Sequence, residues 1–221
     1  MTVATPHLAL ERELLASYPL IIACDEVGRG ALAGPVAVGA VVVDAACCAA
    51  GIPEGLRDSK LVPAASRGRV ADRARAWVRN GAVGWADAAE VDERGIIGAL
   101  GAAALRAIAA VRLADSAGPA IVLLDGNHDY LTPAGLDLPV RTVIKGDRDC
   151  ASLAAASVLA KVARDAHMAE LARDAPAYGW EANKGYASAA HRDALRAHGV
   201  SAYHRQSWAL LPADPAPPTL W

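Results

Sequence analysis

Four acidic residues stand out by where they fall in the chain. Asp25 and Glu26 end one apolar run, Asp125 ends another and precedes Gly126, and Asp147 follows Gly146 at the start of a long helical pattern. A carboxylate at the end of an apolar strand costs several kcal/mol if it is desolvated and unpaired, so it calls for a partner. The simplest partner is a divalent cation. Two Mg²⁺ ions about 3.5 to 4 Å apart can clamp the attacking water and the leaving oxygen of a phosphodiester, and hard cations prefer oxygen ligands. Four carboxylates would balance their four positive charges, with a bound phosphate supplying the remaining ligands. Each acid alone also has an ordinary explanation, since Asp-Gly and Lys-Gly-Asp are common turn chemistry. Their shared placement at strand ends and turns into helices, where α/β sheets gather function, sets them apart. Asp165 is a rival fourth ligand, although its spacing from Lys161 also describes a surface ion pair. Asp147 is preferred because it can enter the site from the turn before the helix.

These acids need elements to hold them. Residues 20–24 read as a short buried strand and 36–43, β-branched and nearly all apolar, as a second strand covered on both faces, joined through the Gly-rich segment 28–35. Asp25 and Glu26 should point to opposite faces unless the strand is bulged or ends there, and the glycines that follow favour an ending. Helical patterns cover 7–17, 63–79, 95–114, 149–173 and 187–198, and further strands 82–86, 120–124 and 140–144. No internal repeat is visible. The expected architecture is an α/β mixed sheet flanked by helices, one catalytic domain over 1–211. The part from about 165 to 208 forms a small C-terminal helical region closing over substrate, and the Pro-rich tail 212–221 is expected to be disordered.

Composition limits the alternatives. The 221 residues are 54% hydrophobic and 21% charged, which suits a globular chain and not a disordered one. No uninterrupted apolar run reaches the ~18 to 20 residues that a bilayer requires, and the first residues lack a signal-peptide pattern, so a cytoplasmic location is expected. The four cysteines show neither zinc-ligand nor disulfide spacing and read as reduced thiols. A formal net charge of −2 announces no polyanionic partner, so any such binding must use a local basic face.

The order of motifs resembles a known family. Asp25-Glu26-Val27-Gly28-Arg29-Gly30 with Leu32-Ala33-Gly34-Pro35-Val36 resembles the opening signature of ribonuclease HII. Asp58-Ser59-Lys60, Leu124-Asp125-Gly126, Lys145-Gly146-Asp147, Ser152 to Ser157 with Ala160-Lys161-Val162, and Lys184-Gly185-Tyr186 followed by His191 are similar to its later motifs, in order. The resemblance runs from about residue 20 to 208 and implies a ribonuclease H-like fold. It also implies an endonuclease that cuts the RNA strand of RNA:DNA hybrids and incises DNA 5′ to embedded ribonucleotides, leaving 3′-hydroxyl and 5′-phosphate ends. Asp25, Glu26, Asp125 and Asp147 would then hold Mg²⁺ or Mn²⁺. Gly28, Arg29 and Gly30 would contact the ribose 2′-hydroxyl, and Tyr186 would stack on the following deoxyribose. Those roles fit the chemistry, because glycine lets backbone approach a sugar and the 2′-hydroxyl is what distinguishes RNA from DNA. The sequence departs from the family where Leu61 replaces a second lysine after Lys60, so a phosphate contact is missing or comes from Arg67.

Further substrate contacts are expected from Ser59 and Lys60 on a phosphate, from Lys145, and from a patch of Lys184, Arg192 and Arg205. Ser152 reads first as small-residue packing and second as a phosphate ligand, while His191 is either a phosphate-orienting or a structural histidine. Arginines 67, 69, 73, 75 and 79 equally describe a solvated helix face. The expected protein is a monomer, with a replication clamp as an open question for the tail. Two other readings remain: a different Mg²⁺-dependent phosphohydrolase on a similar sheet, and a hybrid-binding module without activity.

Overall fold

The structure is a computed structural model, and it describes residues 5–114 and 119–211. Five strands form one mixed sheet: β1 (Leu20–Val27), β2 (Val36–Val43), β3 (Asn80–Ala86), β4 (Ala120–Asp125) and β5 (Val140–Val143), in the order β3-β2-β1-β4-β5. β1, β2 and β3 are antiparallel neighbours, whereas β4 runs parallel to β1 and β5 parallel to β4. β2 is buried along its whole length, as its unbroken apolar sequence requires of a strand covered on both faces.

Eight helices surround the sheet among the described residues. They are α1 (Ala9–Leu14), α2 (Ala45–Ala50), α3 (Ala64–Trp77), α4 (Ala88–Ala114), α5 (Gly146–Asp149), α6 (Ala151–Asp174), α7 (Trp180–Asn183) and α8 (Ala189–His198). One sheet face, carrying Ile21, Ala23, Val41 and Leu123, packs on α3 and α6. The other face, carrying Ile22, Val38, Val42 and Val122, packs on α4. Alternation along each strand thus feeds two separate cores. A third, smaller core around Trp180, Met168 and Leu195 joins the C-terminal helices to Ala33 in the loop between β1 and β2.

Small residues set the spacing of the layers. A Cβ on Gly39 would overlap the Ala156 carbonyl, so this glycine in β2 lets the Ala-rich start of α6 lie directly on the sheet. Gly84 does the same for α4 at Ala103.

Several elements depart from the expected bounds. β1 continues to Val27, because Asp25 and Glu26 pair with Gly39 and Val38 of β2, so the strand does not end before the acids. The helical segment expected over 95–114 is preceded by a further helical stretch from Ala88, capped by the Asp87 carboxylate on the Glu90 amide and separated at Gly95, whose φ of 68° is not helical. The long helix begins after a separate turn of helix, α5. α2, α7 and a short 3₁₀ turn at Pro176–Tyr178 were not anticipated, being too short to show a period. By length and composition α4 could cross a membrane, but its apolar face, including Leu100, Ala103, Ala107 and Val111, lies on the sheet. All four cysteines are buried and free. The tail 212–221 lies outside the described residues.

Candidate active site

Strand register brings the acids together. Cys24 and Leu124 are partners in the parallel β1–β4 pair, so Asp25 and Asp125 are the next residues along, side by side on the α6 face. β5 ends beside them, with the Gly126 amide donating to the Val143 carbonyl, and the chain turns at Lys145 (φ 58°) into α5. That turn delivers Asp147, whose amide donates to Asp125 Oδ1 at 3.1 Å. Glu26 points to the opposite face of β1 from Asp25, as two-residue periodicity dictates, and accepts a hydrogen bond from the Tyr130 hydroxyl at 3.3 Å. The divergence of the pair is therefore real, and the site lies at a sheet end where both faces can be reached.

Electrostatics show that this cluster lacks positive charge. Burial, then the neighbouring Asp125, pushes the Asp25 carboxyl well above the usual carboxylate range, with a Ser157 hydrogen bond opposing the rise. Glu26 is raised by burial too, against the pull of Arg29. Asp147 is pushed up to about 6 by burial and by Asp125 and Asp58. The nearest cations are Lys60, 3.7 Å from Asp147, and Arg29, 3.5 Å from Glu26; both are largely exposed. Among the described residues no three His, Cys, Asp or Glu side chains stand close enough to hold one ion as they are placed. Crowded carboxylates with oxygen donors, buried and short of cations, nevertheless form a donor set of the kind that hard divalent ions take.

A cleft of about 480 Å³ opens over Asp25 and Glu26, lined further by Gly28, Arg29, Gly30, Ser59, Lys60, Ser157, Lys161 and Tyr186. Gly28, at φ 86°, turns the chain out of β1, and its amide donates to the Tyr186 hydroxyl at 3.2 Å. The Ser157 hydroxyl on α6 is hydrogen-bonded to the Ser59 hydroxyl at 2.9 Å, tying the Asp58-Ser59-Lys60 turn to the cleft. Asp58 closes that turn by accepting from the Lys60 amide. A larger cleft of about 610 Å³, lined by Pro35, Trp85, His167 and Tyr203 among others, contains none of the four acids.

Comparison with known proteins places the chain in a family. The sequence model of the Ribonuclease HII family matches residues 22–211. The chain belongs to the ribonuclease HII family. Ribonuclease HII of Paracoccus denitrificans is 47% identical over 208 residues, 92% of each chain. Family membership makes the protein a ribonuclease H, a hydrolase of phosphodiester bonds. Among solved structures, the fold resembles that in the PCNA:RNase HII complex from Archaeoglobus fulgidus, with a TM-score of 0.67, 23% identity, and coverage of 86% of this chain and 95% of that one. It also resembles Bst-RNase HIII solved with Mn²⁺, at a TM-score of 0.61 and 23% identity, over 81% of this chain and 63% of that one.

Some residues expected at a ribonuclease HII site are not brought to the cleft. Ser152 is fully buried, its amide and hydroxyl both bonded to the Glu11 carboxylate, so it cannot reach a phosphate. His191 is equally buried, with its ring on the Tyr186 carbonyl, Trp180 and His204. Arg205 is buried and its terminal nitrogens donate to the carbonyls of Gly28, Arg29 and Gly34, which removes it from a phosphate patch with Lys184 and exposed Arg192. Arg67 donates to the Ser59 and Val62 carbonyls and pairs with Asp165, so it supports the Ser59 turn rather than replacing a second lysine. Asp165 is engaged by Lys161 and Arg67 and is no metal ligand as placed. Lys145 and Lys184 flank the acids and Tyr186 in sequence without lining the cleft. Sequence reasoning missed Ser157 and Tyr130 as partners of Asp25 and Glu26, and took Lys161 for a surface residue although it lines the cleft. Only tertiary packing could reveal them.

Proposed function

We propose that the protein hydrolyses the RNA strand of RNA:DNA hybrids and incises duplex DNA on the 5′ side of embedded ribonucleotides, leaving 3′-hydroxyl and 5′-phosphate ends. The observation that carries this reading is the sharing of one cleft by the acids of β1 and the Gly28–Tyr186 contact. Chemistry and sugar recognition thereby lie within one nucleotide's reach. Asp25, Glu26, Asp125 and Asp147 would hold two divalent ions, Mg²⁺ or Mn²⁺. Bound there, such ions supply Lewis-acid activation of water and neutralise charge on an in-line phosphoryl centre.

The protein's own groups do the rest. Lys60, Arg29 and Lys161 line the cleft and would attract a phosphate backbone, with Ser59 inside the cleft and Lys145 and Lys184 outside it as further polar contacts. Gly28 and Gly30 on either side of Arg29 let the backbone of this segment approach a sugar closely, and the Gly28 amide is free to exchange its Tyr186 partner for a 2′-hydroxyl. Tyr186 offers a flat ring to the next sugar, a surface that an added hydroxyl would disturb. The C-terminal helical part brings Tyr186 over the cleft, so the reading treats residues 1–211 as one catalytic unit acting as a monomer. A sliding-clamp partner is proposed on the precedent of the Archaeoglobus complex.

The test is cleavage of a labelled DNA duplex containing one ribonucleotide, with Mg²⁺, with Mn²⁺ and with chelator, beside an all-DNA duplex. A metal-dependent cut 5′ to the ribonucleotide with the control intact is expected. Equal cutting of the control would replace the reading with a general phosphodiesterase, and metal-independent binding without cleavage would make the protein a binding module.

A further inference from the structure

The reading of Gly28 and Tyr186 depends on two loops that are far apart in sequence, and one buried side chain holds both. Arg164 of α6 is fully buried. Its Nε donates to the Pro35 carbonyl at 2.8 Å, one terminal nitrogen to the Ala33 carbonyl at 3.2 Å, and the other to the Lys184 carbonyl at 2.9 Å. The guanidinium carbon lies 5.4 Å from the centre of the Tyr186 ring. Its side chain also fills the space that a Cβ on Gly28 would need. Each contact falls on the segment that follows Gly28 or on the segment that carries Tyr186.

We propose that Arg164 is a positioning residue that sets the separation of the Gly28 amide and the Tyr186 hydroxyl, and through it the discrimination of a ribonucleotide junction. This rests on the sugar-reading roles proposed above. The argument is geometric. A guanidinium has donors in a rigid planar fork, so three carbonyls fixed in its plane are fixed relative to one another. The same cation favours the face of an aromatic ring, which orients Tyr186 as well as the backbone before it. A lysine keeps the charge but presents a compact ammonium without the fork, and cannot span both loops in the same way.

The two loops meet closely where Arg164 holds them. Lys184 adopts the left-handed conformation at φ 53°, and Gly185 at φ 84° lies so close to the Ala33 carbonyl that a Cβ would overlap it. Leu32 donates its amide to the Gly185 carbonyl at 2.8 Å. Such a close approach is kept only where surrounding contacts over-determine it. Arg205 grips the Gly28, Arg29 and Gly34 carbonyls, and of the two buried arginines it is Arg164 that also hydrogen-bonds the segment carrying Tyr186.

The experiment measures kcat/KM for the full chain and for Arg164→Lys, Tyr186→Ala and the double variant, on a duplex with one ribonucleotide and on a long RNA:DNA hybrid. Arg164→Lys is expected to lower single-ribonucleotide cleavage about tenfold more than hybrid cleavage, and to change that ratio less than about twofold once Tyr186 is alanine, as coupled residues do in a double-mutant cycle. Equal losses on both substrates, or an undiminished effect in the Tyr186→Ala background, would overturn the proposal and leave Arg164 as a packing residue. Should Arg164→Lys fail to fold, Gly185→Ala keeps the arginine but pushes apart the Ala33 and Lys184 carbonyls that it holds; it is expected to reproduce the selective loss, and an unaltered ratio would overturn the proposal. If the wild-type chain does not cut the single-ribonucleotide duplex, the sugar-reading roles fall instead.

Discussion

At the scale of single residues, the site is a set of carboxylates whose charge is not balanced by the protein. Replacing Asp125 with Asn removes one unit of that charge from a side chain that also accepts the Asp147 amide. An amide oxygen can still accept that bond, so the fold should survive while metal affinity falls; cleavage is expected to drop about a hundredfold or more with the melting temperature nearly unchanged. Near-wild-type turnover would take Asp125 out of the site. Tyr186→Ala should act differently, weakening cleavage at single ribonucleotides more than on long hybrids, because a hybrid offers many equivalent positions and a junction only one. The closeness of Asp25, Asp125 and Asp147 was legible in the sequence because each ends an apolar run or follows a turn glycine. The partners of Asp25 and Glu26 were not: Ser157 reads as one small residue in an Ala-rich run, and Tyr130 lies in a loop with no pattern. Both acquire meaning only when α6 and the loop after β4 are laid against β1. Ser152 and His191 show the reverse error, since a polar residue inside a motif can be conscripted by the core.

At the scale of elements, α6 is the part on which the site hangs, as it carries Ser157, Lys161 and Arg164 along one 24-residue helix. Its N-terminus is buried, and the orphan amide of Ser152 there is satisfied by Glu11 from α1. Glu11 is itself fully buried, with one carboxylate oxygen left without a hydrogen-bond partner. A carboxylate at a helix N-terminus gains from the helix dipole as well as from its hydrogen bonds. Glu11→Ala should therefore cost about 1 to 3 kcal/mol of stability, read as a lower denaturant midpoint. An unchanged midpoint would mean that water replaces the carboxylate at no cost. The strands, α3 and most of α4 and α6 were legible from period and β-branching. The capping role of Glu11 was invisible, because it joins residues 141 positions apart in sequence. The true length of β1 was hidden by the glycines that follow it, which signal an ending three residues before the strand stops at Val27.

At the scale of the whole molecule, the C-terminal helical part is held together by a buried polar network whose protonation is fixed by its partners. The Tyr186 carbonyl can only accept, so His191 Nδ1 carries a hydrogen, and Trp180 Nε1 can only donate, so His191 Nε2 accepts. The Ser201 amide donates to His204 Nδ1, which leaves His204 Nε2 to donate to His191 Nε2 at 3.1 Å. Both rings are thus neutral, and a proton added to either sets two N–H groups against each other or against another donor. Burial, then the proximity of the His191 ring, which would repel a second proton, lowers the His204 pKa to about 4 from 6.5, and burial lowers that of His191. Because the folded value lies below the unfolded one, the unfolded chain binds more protons between those values, so this contribution is complete above about pH 6.5 and is lost as pH falls toward 4. The raised carboxyls Asp25, Glu26 and Asp147 work in the opposite direction over part of the same range, favouring the fold as pH falls. A comparison separates the two. His204→Asn keeps an acceptor for Ser201 but has no ring to protonate, so its denaturant midpoint should lose less between pH 7 and pH 5 than the wild-type midpoint does. Parallel pH profiles for the two proteins would show that protonation of His204 is not what loosens the C-terminal part in acid.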